Sequence, residues 1–435
     1  MDREKKKEIF FDETVDLVKL QFTDLFGQCK MVEMTRNQAE KVLKDGYAVN
    51  RFALGGLKKE GGSSFPIPEF LKDCGEGIEL YLKPEMGTFR ILPWESGQET
   101  VGRVICAACN PDGAPSWADS RNVLKETMRK AEQMGLEVSF DFQCEFYLFH
   151  TDDEGRPTTV THEVAGYYDA GPIDLAGSVR RDMILSLEEA GMEVESTHHG
   201  LTPGQHSFLI PAQYGIEAGD YLQTFKSAVK RIAKSHGLHA TFMPKPNMSG
   251  DGSGLHVGVF VRNAEGKTEK TVAEQFRAGV LKHLRDMMIF TNPMVNSYKR
   301  LAAERVNVFQ PEFPATVWEK GNDKAVHLVE DKEGNFAVQV LFPDPAANPY
   351  LALAAILNAG LEGIRNHYSP EECGERLHFP ETLGVLIKEL KTNQFALDTF
   401  GEKLCRMYGE GKKEEWDRFC SYVTDWEIKE YLYRC

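Results

Sequence analysis

Several polar stretches of this 435-residue chain combine residue types and spacings that can do chemistry. Between Val138 and Phe149 the residues alternate. Val138, Phe140, Phe142, Cys144, Phe146 and Leu148 share one side, and Ser139, Asp141, Gln143, Glu145 and Tyr147 share the other. The loop Ser249-Gly-Asp-Gly-Ser-Gly254, followed by His256, offers backbone N–H groups that can cradle a phosphate or form a plain turn. His198, His199 and His206 invite a soft-metal site. Neighbouring strand residues face opposite sides, however, so the three do not converge easily, and they read as structural or surface histidines. Arg300 suits a carboxylate ligand or an internal ion pair. Cys106 and Cys109 form a CxxC with no second pair at zinc spacing. They lie in the apolar run Val104–Cys109 and read as structural thiols.

The elements that must position these groups fall into two parts. The first hundred residues read as short strands and turns with one helix. Val15–Thr23 and Gly46–Leu54 are apolar segments, and Thr88–Leu92 and Gly102–Ala108 are strands. After Asn110-Pro-Asp-Gly113 the period lengthens. Helices are expected at Ser120–Met134 (capped by Asp119 or Ser120), Asp174–Ala190, Ala218–Ser235 and Val272–Thr291, with another opened by Asn348-Pro349. Strands are expected at Met192–Thr197, Ala240–Pro244, Leu255–Val261 and Ala337–Phe342, and the tail from Glu381 is helical. This gives a small, mainly β domain over 14–105 and a large α+β domain over 106–435.

The charge balance narrows the partners. Lys and Arg number 51 against 66 Asp and Glu, a net −15, and no block is strongly basic. Nucleic acid and anionic membrane are therefore disfavoured. No run of ~18 apolar residues is present, so no membrane span is expected. The charged start Met1–Glu8 has no apolar signal region after it, which points to the cytoplasm. Nine scattered cysteines, an odd number, argue against a disulfide framework. The acidic surplus suits an enzyme that holds divalent cations on carboxylates.

Five blocks in order resemble type I glutamine synthetase. They are Asp16–Gly27 (DLVKLQFTDLFG), Gly166-Tyr-Tyr-Asp169, His236–Pro246 with Gly252-Ser-Gly-Leu-His256, Asn292–Leu301 (NPMVNSYKRL) and Pro343–Ala354 (PDPAANPYLALA). The resemblance implies a small N-terminal β-grasp-like domain and a catalytic domain built around a curved antiparallel sheet with helices. It also implies ring oligomers, commonly double hexamers (a dodecamer), with active sites between neighbours. Its chemistry is nitrogen metabolism: ATP-dependent joining of ammonia to glutamate through a γ-glutamyl phosphate, with two Mg²⁺ or Mn²⁺ ions on oxygen ligands.

Matched position by position, that ligand set is mostly replaced. The family's Glu-x-Glu is Gln143-Cys144-Glu145, and its two loop glutamates are Gly200 and Ser207. The Glu of its late strand is Gln339, and the following Arg is Leu341. Glu145 and His256 remain as the residual metal positions. Ala53 stands for the Asp of the N-terminal loop, Val306 for the catalytic Glu, Asp323 for a phosphate-facing Arg and Asp251 for the Asn of the glycine loop. Arg300 and Gly252 match substrate-binding positions, and Ser253 and His256 match nucleotide-binding ones. Losing four carboxylates from one confined site removes pair interactions of several kcal/mol each. The expectation is a family member without glutamate–ammonia ligation, or nearly so, with a binding, regulatory or structural role, for instance co-assembled with an active paralogue. The alternatives are an active ATP-dependent carboxylate–amine ligase with a rebuilt metal site and a small-molecule sensor built on Arg300.

Overall fold

The structure, a computed structural model, describes residues 14–55, 79–161, 163–247, 250–301, 316–319, 322–323, 325–332, 334–370 and 376–435. The expected catalytic position Val306 and the first loop residue Ser249 lie outside them. The first sheet joins β1 (Leu17–Thr23), β2 (Cys29–Thr35), β3 (Tyr47–Asn50), β4 (Glu79–Pro84), β5 (Arg90–Ile91) and β6 (Val101–Cys109) in the order β2-β1-β6-β4-β3, with β5 on β6. β1 and β6 run parallel, and the other pairs are antiparallel. Helix α1 (Arg36–Asp45) packs on this sheet, and Val18, Leu20, Leu82 and Val104 form its core. β6 continues to Cys109, past the expected boundary at 105, and α2 (Ser120–Gln133) follows it.

The second sheet is antiparallel and is organised by one long strand. β7 (Glu137–Thr151) pairs on one side with β12 (Leu255–Arg262) and on the other with β10 (Gln205–Tyr214). It also receives β8 (Pro157–Thr161) and β11 (Leu238–Thr241) near its end. β9 (Ser196–His199) extends one edge, and β16 (Phe336–Val340) with β15 (Val326–Glu330) extends the other. β13 (Thr316–Glu319), β14 (Asn322–Asp323) and β17 (Arg376–His378) form a separate small sheet, which contains Asp323. The expected strand at Met192–Thr197 is shorter and later. Only Ser196–His199 pairs regularly, although Glu195 N–H still reaches Leu209 O at 3.0 Å or less.

Helices cover the apolar side of this sheet. α2 is capped by Asp119, whose carboxylate accepts from Arg121 and Asn122 N–H. α3 (Gly177–Glu189), α4 (Glu217–Ser235) and α8 (Pro349–Arg365) follow, the last opened by Asn348 with Pro349 at the first position. The expected helix Val272–Thr291 is two helices, α5 (Lys270–Lys282) and α6 (Leu284–Thr291), divided at His283. His283 is held there by Asp286 and Glu362 on its two ring nitrogens. α7 (Val295–Leu301) carries Arg300. The tail forms α9 (Leu383–Leu390), α10 (Gln394–Phe400), α11 (Glu402–Ser421) and α12 (Asp425–Tyr431). No helix of the described residues is long and apolar enough to cross a membrane.

The two parts are joined by buried polar contacts. Asn348 donates to Asp24 O and Leu25 O, and Gln223 donates to Gly27 O. Gly27 has φ +84°, and a Cβ there would lie 2.8 Å from Asn348 Cα, so the turn requires glycine. Arg121 clasps Asp220 with two N–H groups at 2.7 and 2.8 Å, while Tyr350 O–H donates to the same carboxylate.

Candidate functional site

β7 divides chemistry from packing. Phe140, Phe142, Cys144 and Phe146 are buried among the helices. Asp141, Gln143, Glu145 and Tyr147 face the other way, and register adds neighbours to that face. His256 lies opposite Gln143 on β12, Ser207 opposite Glu145 on β10, and His198 opposite Ser207 on β9. Gln339 lies opposite Gly258. One sheet face thus gathers Gln143, Glu145, Ser207, His256 and Gln339, as alternation requires.

Within it, a neutral ladder spans three strands. Gln143 Nε2 donates to Ser207 Oγ at 3.0 Å, which orients the amide with Oε1 toward His256 Nδ1 at 3.3 Å. His256 is held neutral, its pKa lowered to about 3 by burial first and then by the charges of Arg300 and His327. Glu145 Oε2 accepts from Gly254 N–H at 2.8 Å, while Glu145 N–H donates to Gly254 O at 3.0 Å. A Cβ at Gly254 would lie 2.9 Å from Arg300 Nη2 and 3.0 Å from His256 Nε2, so glycine lets the loop pass between them.

The glycine loop is fixed from below. Tyr147 O–H donates to Asp251 O, Thr202 O–H to the Asp251 carboxylate, and Gln205 Nε2 to Gly252 O. The Ser253 hydroxyl is buried with no hydrogen-bond partner among the described residues. That is an open donor beside the backbone turn. Gly200 is tied to the same loop through Gln205. Its N–H donates to Gln205 O, and the Gln205 side chain lies 2.7 Å from where a Gly200 Cβ would be.

Arg300 is buried. Its Nη1 donates to Phe342 O and Pro343 O, and its Nη2 lies 3.5 Å from Leu341 O. Backbone carbonyls hold it in place. Asp344, fully buried nearby, has its pKa pushed up to about 6 by burial, against the opposing charge of Arg300. Leu341 is half-buried with its N–H on Ala325 O. Ala53 packs on the small domain's core and is not brought to the sheet face. Cys106 and Cys109 are buried in β6, where burial raises both thiols.

Sequence reasoning did not single out Asp141, or Glu163 as the partner of His199 and His206. Asp141 sits on the site face with its pKa raised to about 6, mainly by burial. Gly258 makes room for it, since a Cβ there would fall 2.0 Å from Asp141 Oδ1. The second feature lies on the opposite face. His199 and His206 meet Glu163 there, with ligand-type atoms within 4.8 Å of one another. His198 is turned away and stacks on Tyr168. The signal for Glu163 was weak, because it lies in an irregular segment.

The partners of this trio decide its chemistry. His206 Nδ1 is 3.0 Å from Arg180 Nη1, and an arginine only donates. His206 Nδ1 is thus the bare nitrogen and Nε2, 3.5 Å from Glu163 Oε1, carries the proton, so it cannot ligate a cation. His199 faces Gly200 O through Nδ1 and Glu163 Oε1 through Nε2, both at 2.8 Å. Two acceptors require a doubly protonated ring. Burial opposes that charge, but the bonds to Glu163 and Gly200, with the charges of Glu163 and Asp174, raise the pKa. Asp174 neutralises Arg180 through both guanidinium nitrogens. The trio is a proton-ordered internal network.

The same test applies to the expected Mg²⁺ or Mn²⁺. Hard cations want several oxygen ligands. Among the described residues no group of three metal-capable side chains includes Glu145 or His256.

The family described as "Glutamine synthetase, catalytic domain" matches residues 117–431. A glutamine synthetase of Clostridium saccharobutylicum is 38% identical over 448 residues, covering 96% of both chains. One of Staphylococcus epidermidis is 37% identical, covering 97% of this chain and 96% of its own. Among solved structures, "Apo GmaS without ligand" superposes with TM-score 0.81 at 23% identity, covering 97% of each chain. A Plasmodium falciparum glutamine synthetase gives 0.83 at 18% identity, covering 99% of each. These two likenesses show the fold.

Proposed function

The chain belongs to the glutamine synthetase family, and we propose that it is a binding member in which metal-dependent joining of ammonia to glutamate is absent or very weak. The observation that carries this reading is the ladder Ser207–Gln143–His256, in which neutral side chains at two positions matching family carboxylates, Gln143 and Ser207, bond to each other and to the retained histidine. A dication needs compensating negative charge, and Glu145, the carboxylate kept among the matched positions, is bonded to Gly254 N–H. The retained packing motifs support assembly into rings, either of this chain alone or with an active paralogue, and a division into the two domains described. The assay is phosphate release from Mg²⁺- or Mn²⁺-ATP with glutamate and ammonia. Turnover in the ordinary range of about 1 s⁻¹ or more overturns the reading.

A second reading, an ATP-dependent carboxylate–amine ligase with a rebuilt site, is favoured by the comparisons, since these relatives are named as synthetases. The open Ser253 hydroxyl at the glycine loop also supports it, because it offers a donor to a phosphate. Calorimetry with Mg²⁺-ATP separates the two. Saturable heat that is lost in Ser253→Ala supports the ligase, and no heat at about millimolar nucleotide sinks it.

A further inference from the structure

A cavity of about 50 Å³ lies where the small sheet meets α4, away from the sheet face described above. Arg90 and Arg103 line it from the small domain, and Gln213, Glu217, Asp220 and Thr224 line it from the large one. Arg103 is only 2% exposed. Among the described residues its side chain makes one hydrogen bond, from Nη2 to Thr224 Oγ1 at 3.1 Å. Its Nε–H is buried without an acceptor among the described residues. Burying a charge with most of its donors unused is costly unless something completes it.

Asp220 does not complete it. Both its oxygens are taken by Arg121, and one also accepts from Tyr350. Glu217 is exposed at the rim, where water keeps it hydrated. Arg90 lends one N–H to Ala190 O at 3.3 Å, and the Gln213 amide to Pro211 O at 2.8 Å. Two guanidinium groups therefore share one small polar space, and among the described residues no carboxylate is hydrogen-bonded to Arg103. The strain is also visible in acidity: burial, the largest influence, lowers the Arg103 pKa to about 10 despite the nearby charge of Asp220.

We propose that this cavity binds a small oxyanion, held by Arg103 and Arg90, which bridges the two domains. A guanidinium presents parallel N–H groups that match the oxygens of phosphate, sulfate or carboxylate. At roughly 10–15 Å³ per water-sized probe, the space admits a few solvent-sized groups and excludes a nucleotide. The site does not depend on whether the sheet face is catalytic.

The test is calorimetry of the full chain with inorganic phosphate in a chloride buffer of matched ionic strength, with sulfate and acetate as the other arms. Saturable binding of one of these per chain is expected, weakened at least tenfold in Arg103→Met and in Arg90→Gln. Thermal unfolding of the same samples keeps the test readable if Arg103→Met folds poorly. The anion that binds should raise the melting temperature of the parent chain and leave that of the half-buried Arg90→Gln variant unmoved. No saturable heat at about 10 mM for any of the three overturns the proposal. So does binding that survives Arg90→Gln and is lost in Ser253→Ala, which would place the anion at the glycine loop.

Discussion

The two faces of the large sheet are made by the same strands, one residue on each side in turn, yet their polar groups are balanced in opposite ways. On the helix-covered face, Glu163, His199, His206, Arg180 and Asp174 form a buried, mutually bonded set of charges and donors. On the open face, Gln143, Ser207 and His256 meet as neutral groups, with Glu145 capped by a backbone N–H. Side-chain alternation allows one face to change its chemistry while the other keeps the fold, because a substitution at Gln143 does not touch Phe142 or Cys144. The difference teaches that family membership and family chemistry are carried by different residues of the same strands.

The largest way to break this comparison is to remove Glu163. Without it the His199 imidazolium is a buried, unpaired charge, and the loss should be about 3–5 kcal/mol. Urea denaturation of Glu163→Ala measures it. A loss below about 1 kcal/mol would mean that the helix-side network is as dispensable as a surface pair. On the open face the comparable change is Gln143→Leu, which leaves the Ser207 hydroxyl and His256 Nδ1 without their partner. It should cost about 1–3 kcal/mol by the same measurement.

Acidity sharpens the contrast, since the two histidines respond with opposite sign. His199 has a raised pKa in the folded chain, so its contribution is complete below the unfolded value of ~6.5 and is lost as pH climbs through the folded value. His256 is lowered to about 3, so its contribution is complete above ~6.5 and is lost as pH falls from there toward 3. Each can contribute up to about 1.4 kcal/mol per pH unit in its window. Stability measured against pH should lose its alkaline-side decline in His199→Gln and part of its acid-side decline in His256→Gln. Parallel curves for the parent and both variants would contradict the assignment.

Much of the fold was legible because it rests on local periodicity. The alternation of Val138–Phe149 gave β7, and Asp119 and Asn348-Pro349 marked two helix starts. The segment after α3 was misjudged, because Met192–Glu195 alternates apolar and acidic residues as a strand does but lies outside the regular ladder. His283 was invisible as a helix break, because its two acid partners come from Asp286 beside it and Glu362 on α8. Alternation put Gln143 and Glu145 on one side of β7, the family resemblance added His256, and the register that sets His256 opposite Gln143 is a property of the fold. Glu163 could not be placed, and neither could the carbonyls that hold Arg300. Those partners are set by long-range packing, which composition does not record.

The smallest expected effect is the most pointed. Gln143→Glu returns one carboxylate to the open face, beside Glu145 on the same side of β7 and opposite His256. If the face has truly left cation chemistry, Mn²⁺ binding followed by paramagnetic resonance should stay near zero. Gly200, Ser207 and Gln339 still supply no charge, and a cation needs several oxygens at once. Returning Glu at 200 as well is obstructed by the Gln205 side chain, which occupies the space of its Cβ and is itself bonded to Gly252 O. Tight Mn²⁺ binding in the single variant would place this face one substitution from a working metal site, and the ligase reading would then become the stronger one.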